Sequence, residues 1–215
     1  LICGYRDWAV DLFTAVRDNT KNINLIYLDN KNILEEKVFK LKPNIIFFIG
    51  WSWIVKKKII DNFICICLHP SPLPKYRGGS PIQHQIINGE INSAVSLFIM
   101  NHKLDQGDIL FQKKFSLNGN LDDIFRRISK IGSEGVISII LDKVKKPIKQ
   151  NESEATFFNR RNKSMSEITL ADLQRHTAKE IYNKVRALQD PYPNAFLKCH
   201  DGTKLYLKQV VVDND

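Results

Sequence analysis

Apolar positions along this chain switch period again and again. Leu1 to Tyr5 is a short apolar run, and Trp8 to Val16 sets Trp8, Ala9, Val10, Leu12, Phe13 and Val16 at helical spacing. Ile23 to Leu28 then reads as a strand, so the opening is a β-α-β unit with its usual right-handed crossover. A helix over Ile33 to Leu41, a strand over Ile45 to Gly50, a basic helix over Val55 to Asn62 and a strand over Ile64 to His69 continue the alternation. Pro81 to Asn88 is a further helix, with proline at an allowed first-turn position. Ala94 to Met100 and Ile109 to Phe115 are strands parted by the turn-rich NHKLDQGD. Such alternation predicts an α/β protein on a Rossmann-like, open and mostly parallel sheet.

Leu121 to Lys145 has helical periodicity and stops before Pro147, which cannot continue a helix. Ile148 to Ser164 is polar and irregular and reads as a linker or a strap over the first domain. Thr169 to Gln189 is helical, with Thr169 as cap and Asp172 at the capping-box position. In the tail, Asp201-Gly202 between alternating runs marks a β-hairpin. The organisation is therefore a catalytic domain over residues 1–150 and a strap, helix and hairpin over 151–215.

With 43% hydrophobic and 26% charged residues, the chain can fill a core. Its 32 Lys and Arg against 23 Asp and Glu give +9, an attraction for phosphate-bearing partners that does not choose among them. Much of the excess sits in Lys56 to Lys58, Lys143 to Lys149 and Arg160-Arg161, and the first two groups read as solvated faces. Nucleic acid is not indicated. Cys3, Cys65, Cys67 and Cys199 lack metal-ligand spacing, and Cys65 and Cys67 alternate on a strand so that both thiols face one side. Reduced thiols, no apolar run of about 20 residues and no signal peptide predict a soluble cytoplasmic protein, without a membrane or metal.

In an open α/β sheet, ligands bind beyond the carboxyl ends of the strands. Three segments lie there: Gly50-Trp51, His69 to Gly79, and His102 to Asp108. The first β-α turn, CGYRDW, has one glycine and so lacks the dinucleotide fingerprint; a phosphate-binding P-loop and a Gly-x-Ser-x-Gly elbow are absent too. What remains is a histidine at a strand end, His69, and an acid, Asp105. A carboxylate on the far nitrogen of an imidazole would hold one tautomer and make a better base.

HPSPLPKYRGGSPIQ, with Asp105 in LDQGDIL, resembles the folate-dependent formyltransferase family, whose members carry His-Pro-Ser-x-Leu-Pro and a later Leu-Asp-x-Gly-Asp. Arg-Gly-Gly-Ser-Pro-Ile-Gln, FIGWSW upstream, and ATFFNRR and SEI downstream are similar to the sugar N-formyltransferases that act on nucleotide-linked amino sugars. The resemblance implies transfer of a formyl group from N10-formyltetrahydrofolate to a primary amine, with His69 as general base and Asp105 orienting it. The family usually supplies an oxyanion-stabilising Asn two residues before the histidine, where this chain has Cys67.

The same resemblance places Gly50, Trp51 and Trp53 near the folate, with the His102 to Asp105 backbone, Leu104 included, along its pterin. Lys75 and Arg77 beside Gly78-Gly79 are the candidates for a diphosphate at a helix start, with Gln83 and Arg160 as weaker ones. Phe157, Phe158 or Tyr192 would stack on a base. The expected acceptor is a dTDP-linked 4-amino-4,6-dideoxy sugar for O-antigen or surface-glycan synthesis, and the protein is expected to be a homodimer joined through Phe196 to Val212. Methionyl-tRNA formylation is the rival. About 65 residues follow Gln150, which reads as short for the β-barrel of the tRNA enzymes. A non-catalytic folate or nucleotide-sugar binding protein is a third reading.

Overall fold

The computed structural model describes residues 1–144 and 146–213. Four parallel strands come first: β1 (Ile2–Cys3), β2 (Tyr27–Leu28), β3 (Ile45–Ile49) and β4 (Ile64–His69). A two-residue strand, β5 (Arg77–Gly78), lies outside this sheet. Then β6 (Asn92–Ile99) pairs antiparallel with β4, and β7 (Ile109–Ser116) pairs antiparallel with β6. The resulting order, β2-β1-β3-β4-β6-β7, is the expected mostly parallel α/β sheet with an antiparallel flank.

Helices cover both faces because the strand residues alternate between two apolar layers. On one face, α1 (Asp7–Asn19), α4 (Pro81–Ile87) and α5 (Leu121–Ile140) bury Leu12, Val16, Ile82, Ile86, Ile124 and Ile128 against Ile66 and Leu68 of β4. On the other, α2 (Leu34–Leu41) and α3 (Lys57–Asn62) bury Leu34, Val38 and Ile59 against Ile46, Phe48 and Cys65. Each such fully buried aliphatic side chain stabilises the fold by about 1.5–3 kcal/mol. Cys67 packs at the rim of the second layer, on the face of Cys65, and all four cysteines are free thiols.

Several boundaries differ from the sequence reading, each for a physical reason. The strand expected over Ile23 to Leu28 shrinks to Tyr27–Leu28 because it is an edge strand whose only neighbour, β1, offers two residues. The helix expected through Lys145 ends at Ile140, after which Asp142 takes a positive φ of 53°. Lys145 itself lies outside the described residues. The helix expected over Thr169 to Gln189 is two helices, α6 (Leu170–Arg175) and α7 (Ala178–Ala187), parted at extended His176. Each half has its own capping box, Thr169 with Asp172 and Thr177 with Glu180. Two caps in one periodic stretch make two helices, and Thr-Ala-Lys-Glu was the signal in the sequence.

The polar segment over 148–164 is a strap. Ile148 bridges to Ile109, and β8 (Phe157–Phe158) pairs parallel with β5. Beyond it, β9 (Ala195–Lys198) and β10 (Lys204–Leu207) form the expected hairpin around Asp201-Gly202. Ile168, Val185, Leu188 and Ala195 make a small separate core there. Among the described residues no helix is long and apolar enough to cross a membrane.

Candidate active site

β4 ends at His69, and the chain beyond it is pinned before it can wander. Ser96 Oγ donates to the Ser71 carbonyl at 2.6 Å, and Gln112 Nε2 to the Leu73 carbonyl at 3.0 Å. Gln85 Nε2 donates to the Pro70 carbonyl at 3.0 Å. The loop thereby delivers Tyr76 back to the histidine it left seven residues earlier. Tyr76 has a φ of 60°, a conformation costly for a bulky L residue. It is kept there by Thr156 of the strap, whose Oγ1 accepts from Tyr76 N at 2.8 Å and whose carbonyl accepts from Arg77 N at 2.9 Å.

His69 sits between two oxygens. Its Nε2 is 2.8 Å from the Tyr76 carbonyl, and its Nδ1 is 3.7 Å from Asp105 Oδ2; the side chains are 7% and 13% exposed. A carbonyl only accepts, so Nε2 is the nitrogen that donates to Tyr76, and Nδ1 is the nitrogen on the carboxylate side. The Tyr76 carbonyl, not the carboxylate, thus holds Nε2, while Asp105 lies beside Nδ1. Asp105 is placed by the Gly78 N–H, which donates to Oδ2 at 2.8 Å, and has a φ of 53°. Gly107, two residues on, is obligatory, since any Cβ there would collide with the Ile99 carbonyl.

Cys67 lies two residues before His69 on the same face of β4. Burial pushes its thiol well above the ordinary range, and the Asp105 carboxylate adds to that. It is a neutral S–H group, not a thiolate nucleophile, and it makes a 3.6 Å contact to the Leu68 carbonyl. Trp51, Cys67 and Met100 are half-buried at the rim of one apolar cluster, and the indole N–H of Trp51 is buried without an acceptor among the described residues. Trp53 packs edge-on to Trp51 at 4.9 Å and against Tyr5 at 4.3 Å. Gly50, with a φ of 60°, backs onto Trp8 and Arg6. Leu104 is 62% exposed, and the His102 side chain pairs with Asp61 at 2.8 Å.

The residues expected to hold a diphosphate behave differently. Lys75 is exposed. Arg77 is fully buried, and its guanidinium is taken up by Gln150 Oε1 at 3.0 and 2.7 Å and by Glu152 at 2.8 and 2.7 Å. A Cβ on Gly78 would strike the Phe158 carbonyl, and one on Gly79 would lie 2.5 Å from Arg160 Cα, so both glycines exist to let the strap approach. Gln83 is 3% exposed with its amide nitrogen unpartnered, Arg160 is exposed, and Tyr192 is half-buried under the Arg6 guanidinium at 5.6 Å. Among the described residues, no three His, Cys, Asp or Glu side chains are grouped to hold a metal. Tyr76, Gln150 and Thr156 were missed by sequence reasoning; they act through main-chain groups or long-range contacts that leave no local signature.

A family model described as formyl transferase matches residues 18–140, and its C-terminal domain matches residues 165–215. This chain belongs to the formyl transferase family. It is 33% identical over 200 residues to a methionyl-tRNA formyltransferase of Finegoldia magna, covering 87% of this chain and 63% of that one. The methionyl-tRNA formyltransferase structure from Clostridium thermocellum matches with a TM-score of 0.89 at 32% identity, over 99% of this chain and 92% of that one. A 4-N formyltransferase from Francisella tularensis matches over 100% of this chain and 97% of that one, with a TM-score of 0.77 but 18% identity, which shows the shared fold alone. The chain spans between 52% and 63% of the length of the first curated relatives it matches.

These findings correct the sugar N-formyltransferase reading. The relatives at about one-third identity are methionyl-tRNA formyltransferases, so the amino sugar, the O-antigen role and the expected lack of nucleic acid lose their support. Arg-Gly-Gly misled because its arginine and glycines serve strap packing in this chain. The length of the tail misled as well, since residues 165–215 match the family's own C-terminal domain.

Proposed function

We propose that this chain transfers a formyl group from N10-formyltetrahydrofolate to the amine of methionyl-tRNA. The observation that carries this reading is the match to the Clostridium thermocellum methionyl-tRNA formyltransferase, at 32% identity across 99% of the chain. The net charge of +9 suits a polyanionic acceptor. The half-buried rim of Trp51, Cys67 and Met100, with an indole N–H lacking an acceptor, fits a flat heterocycle edged with hydrogen-bonding groups. Trp51, Gly50 and the 102–105 backbone would hold it.

N10-formyltetrahydrofolate supplies the electrophilic formyl carbon. His69 takes the proton from the attacking amine at Nδ1. The imidazolium then has an oxygen at each nitrogen, the Tyr76 carbonyl at Nε2 and Asp105 at Nδ1, and it returns the proton to N10 as the C–N10 bond breaks and tetrahydrofolate leaves. Negative charge gathering on the formyl oxygen meets the neutral Cys67 S–H, a weak donor where an amide would be a stronger one. An uncharged amine is a competent nucleophile, so no covalent enzyme intermediate is required.

The test is incubation with N10-formyltetrahydrofolate and, in parallel, methionyl-tRNA or dTDP-linked amino sugars. Formylmethionyl-tRNA as the sole product is expected, with the rate falling steeply as salt rises. A formamide on the sugar and none on the tRNA would sink the reading.

A further inference from the structure

The Asp105 turn is held from 45 residues away. Gln150, in the strap, donates from Nε2 to the Asp105 carbonyl at 2.9 Å and to the Gly107 carbonyl at 2.7 Å. Its Oε1 accepts twice from Arg77. The orientation of this amide has no alternative, because a guanidinium cannot accept a hydrogen bond and a carbonyl cannot donate one. Arg77 is 0% exposed and Glu152 takes two more of its donors, so the guanidinium cannot swing away without leaving a buried charge unpaired. The next residue, Gly78, gives its N–H to the Asp105 carboxylate. Asp105 is thus gripped at both ends, its carbonyl by Gln150 and its carboxylate by Gly78, in a left-handed conformation that L residues rarely adopt.

We propose that Gln150 is a positioning residue of the transfer site, holding the 105–107 turn so that the Asp105 carboxylate stays beside His69 Nδ1. The proposal rests on the reading of His69 and Asp105 as the formyl-transfer centre. Gln150 touches no reacting atom; it acts through Asp105. The strap thus positions the transfer site, gripping the Asp105 carbonyl through Gln150 and the Tyr76 N–H through Thr156.

Gln150→Glu isolates the claim, because it keeps an oxygen for Arg77 and places a second oxygen against two carbonyls. The variant is expected to lose about 10²-fold in kcat, the usual scale for a misplaced catalytic group. The fall in kcat is expected to exceed any rise in its KM for N10-formyltetrahydrofolate, because the 102–105 backbone can shift with the turn while Asp105 is lost from the chemical step. Its crystal structure is expected to show the Asp105 carboxylate off the Gly78 N–H. A wild-type kcat, or Asp105 unmoved in the crystal, overturns the proposal. Should Gln150→Glu fail to fold, Gln150→Asn keeps both donor and acceptor one methylene short; it is expected to lower kcat by more than it raises KM, and full kcat would overturn the proposal. If the wild-type protein transfers no formyl group to methionyl-tRNA, the functional reading fails, while the Asp105 position in the variant crystal still decides this one.

Discussion

The half of the chain around the sheet and the tail beyond the strap are built on opposite principles. Around the sheet, Leu12, Ile46, Phe48, Ile66 and Leu97 are sealed in two layers, and even Arg77 is closed off from water. In the tail, Leu170, Leu173, Leu205, Tyr206 and Val211 are each about half exposed or more, and the core is a few residues. The first half holds His69 between fixed oxygens. The tail is held by caps, a hairpin and a small core, and only Ala187 and Tyr192 among its described apolar residues reach the main core. A preorganised site needs the first kind of construction.

The contrast breaks most sharply at His69. His69→Asn is expected to cost 10² to about 10⁴-fold in turnover with the thermal midpoint nearly unchanged, since only the base is removed. Kinetics and calorimetry on the same sample check this, and an unfolded variant would mean that the histidine is structural. Cys67→Asn comes next. An amide is a better oxyanion donor than a thiol, so kcat is expected to rise about tenfold. A fall would show that the small thiol is required by this site's own geometry.

In the tail, Thr169→Ala or Thr177→Ala removes a capping box and is expected to cost about 1 kcal/mol. Hydrogen exchange should quicken over residues 170–187 and leave β4 unchanged. Faster exchange in β4 would mean that the two regions are one cooperative unit.

Titration separates the halves at opposite ends of the pH scale. The Thr169 N–H bond holds the Asp172 carboxyl below its ordinary range, with Lys184 nearby. A depressed carboxylate pKa contributes stability above the unfolded-state value and loses it as pH falls through the folded one. Exchange in α6 should therefore rise as pH drops below about 4. Burial pushes the Cys3 and Cys65 thiols up to about 12. For a raised pKa the sign reverses: that stability is intact below the ordinary thiol value and is lost as pH climbs toward the folded one. The sheet half should weaken in alkali while the tail caps persist, and exchange against pH would show the order.

What the sequence disclosed follows the same division. The alternation of strands and helices, the end of β4 at His69 and the Asp201-Gly202 hairpin all come from local pattern and were legible. His69 and Asp105 were found through their motifs. Arg77 was misread because its role is decided by Gln150 and Glu152, more than 70 residues along the chain, which no local spacing encodes. The Tyr76 carbonyl was invisible for another reason: every residue has one, and only the loop geometry aims it. The break between α6 and α7 was written in Thr177 and Glu180 but was masked by continuous helical periodicity.

The central claim is that the pair His69 and Asp105 moves a formyl group onto methionyl-tRNA. The most direct measurement is single-turnover transfer from labelled N10-formyltetrahydrofolate to methionyl-tRNA, with wild-type protein and His69→Asn side by side. Label on the tRNA with the wild type and essentially none with the variant is the predicted result. No label with the wild type, or equal label with both, would contradict the account.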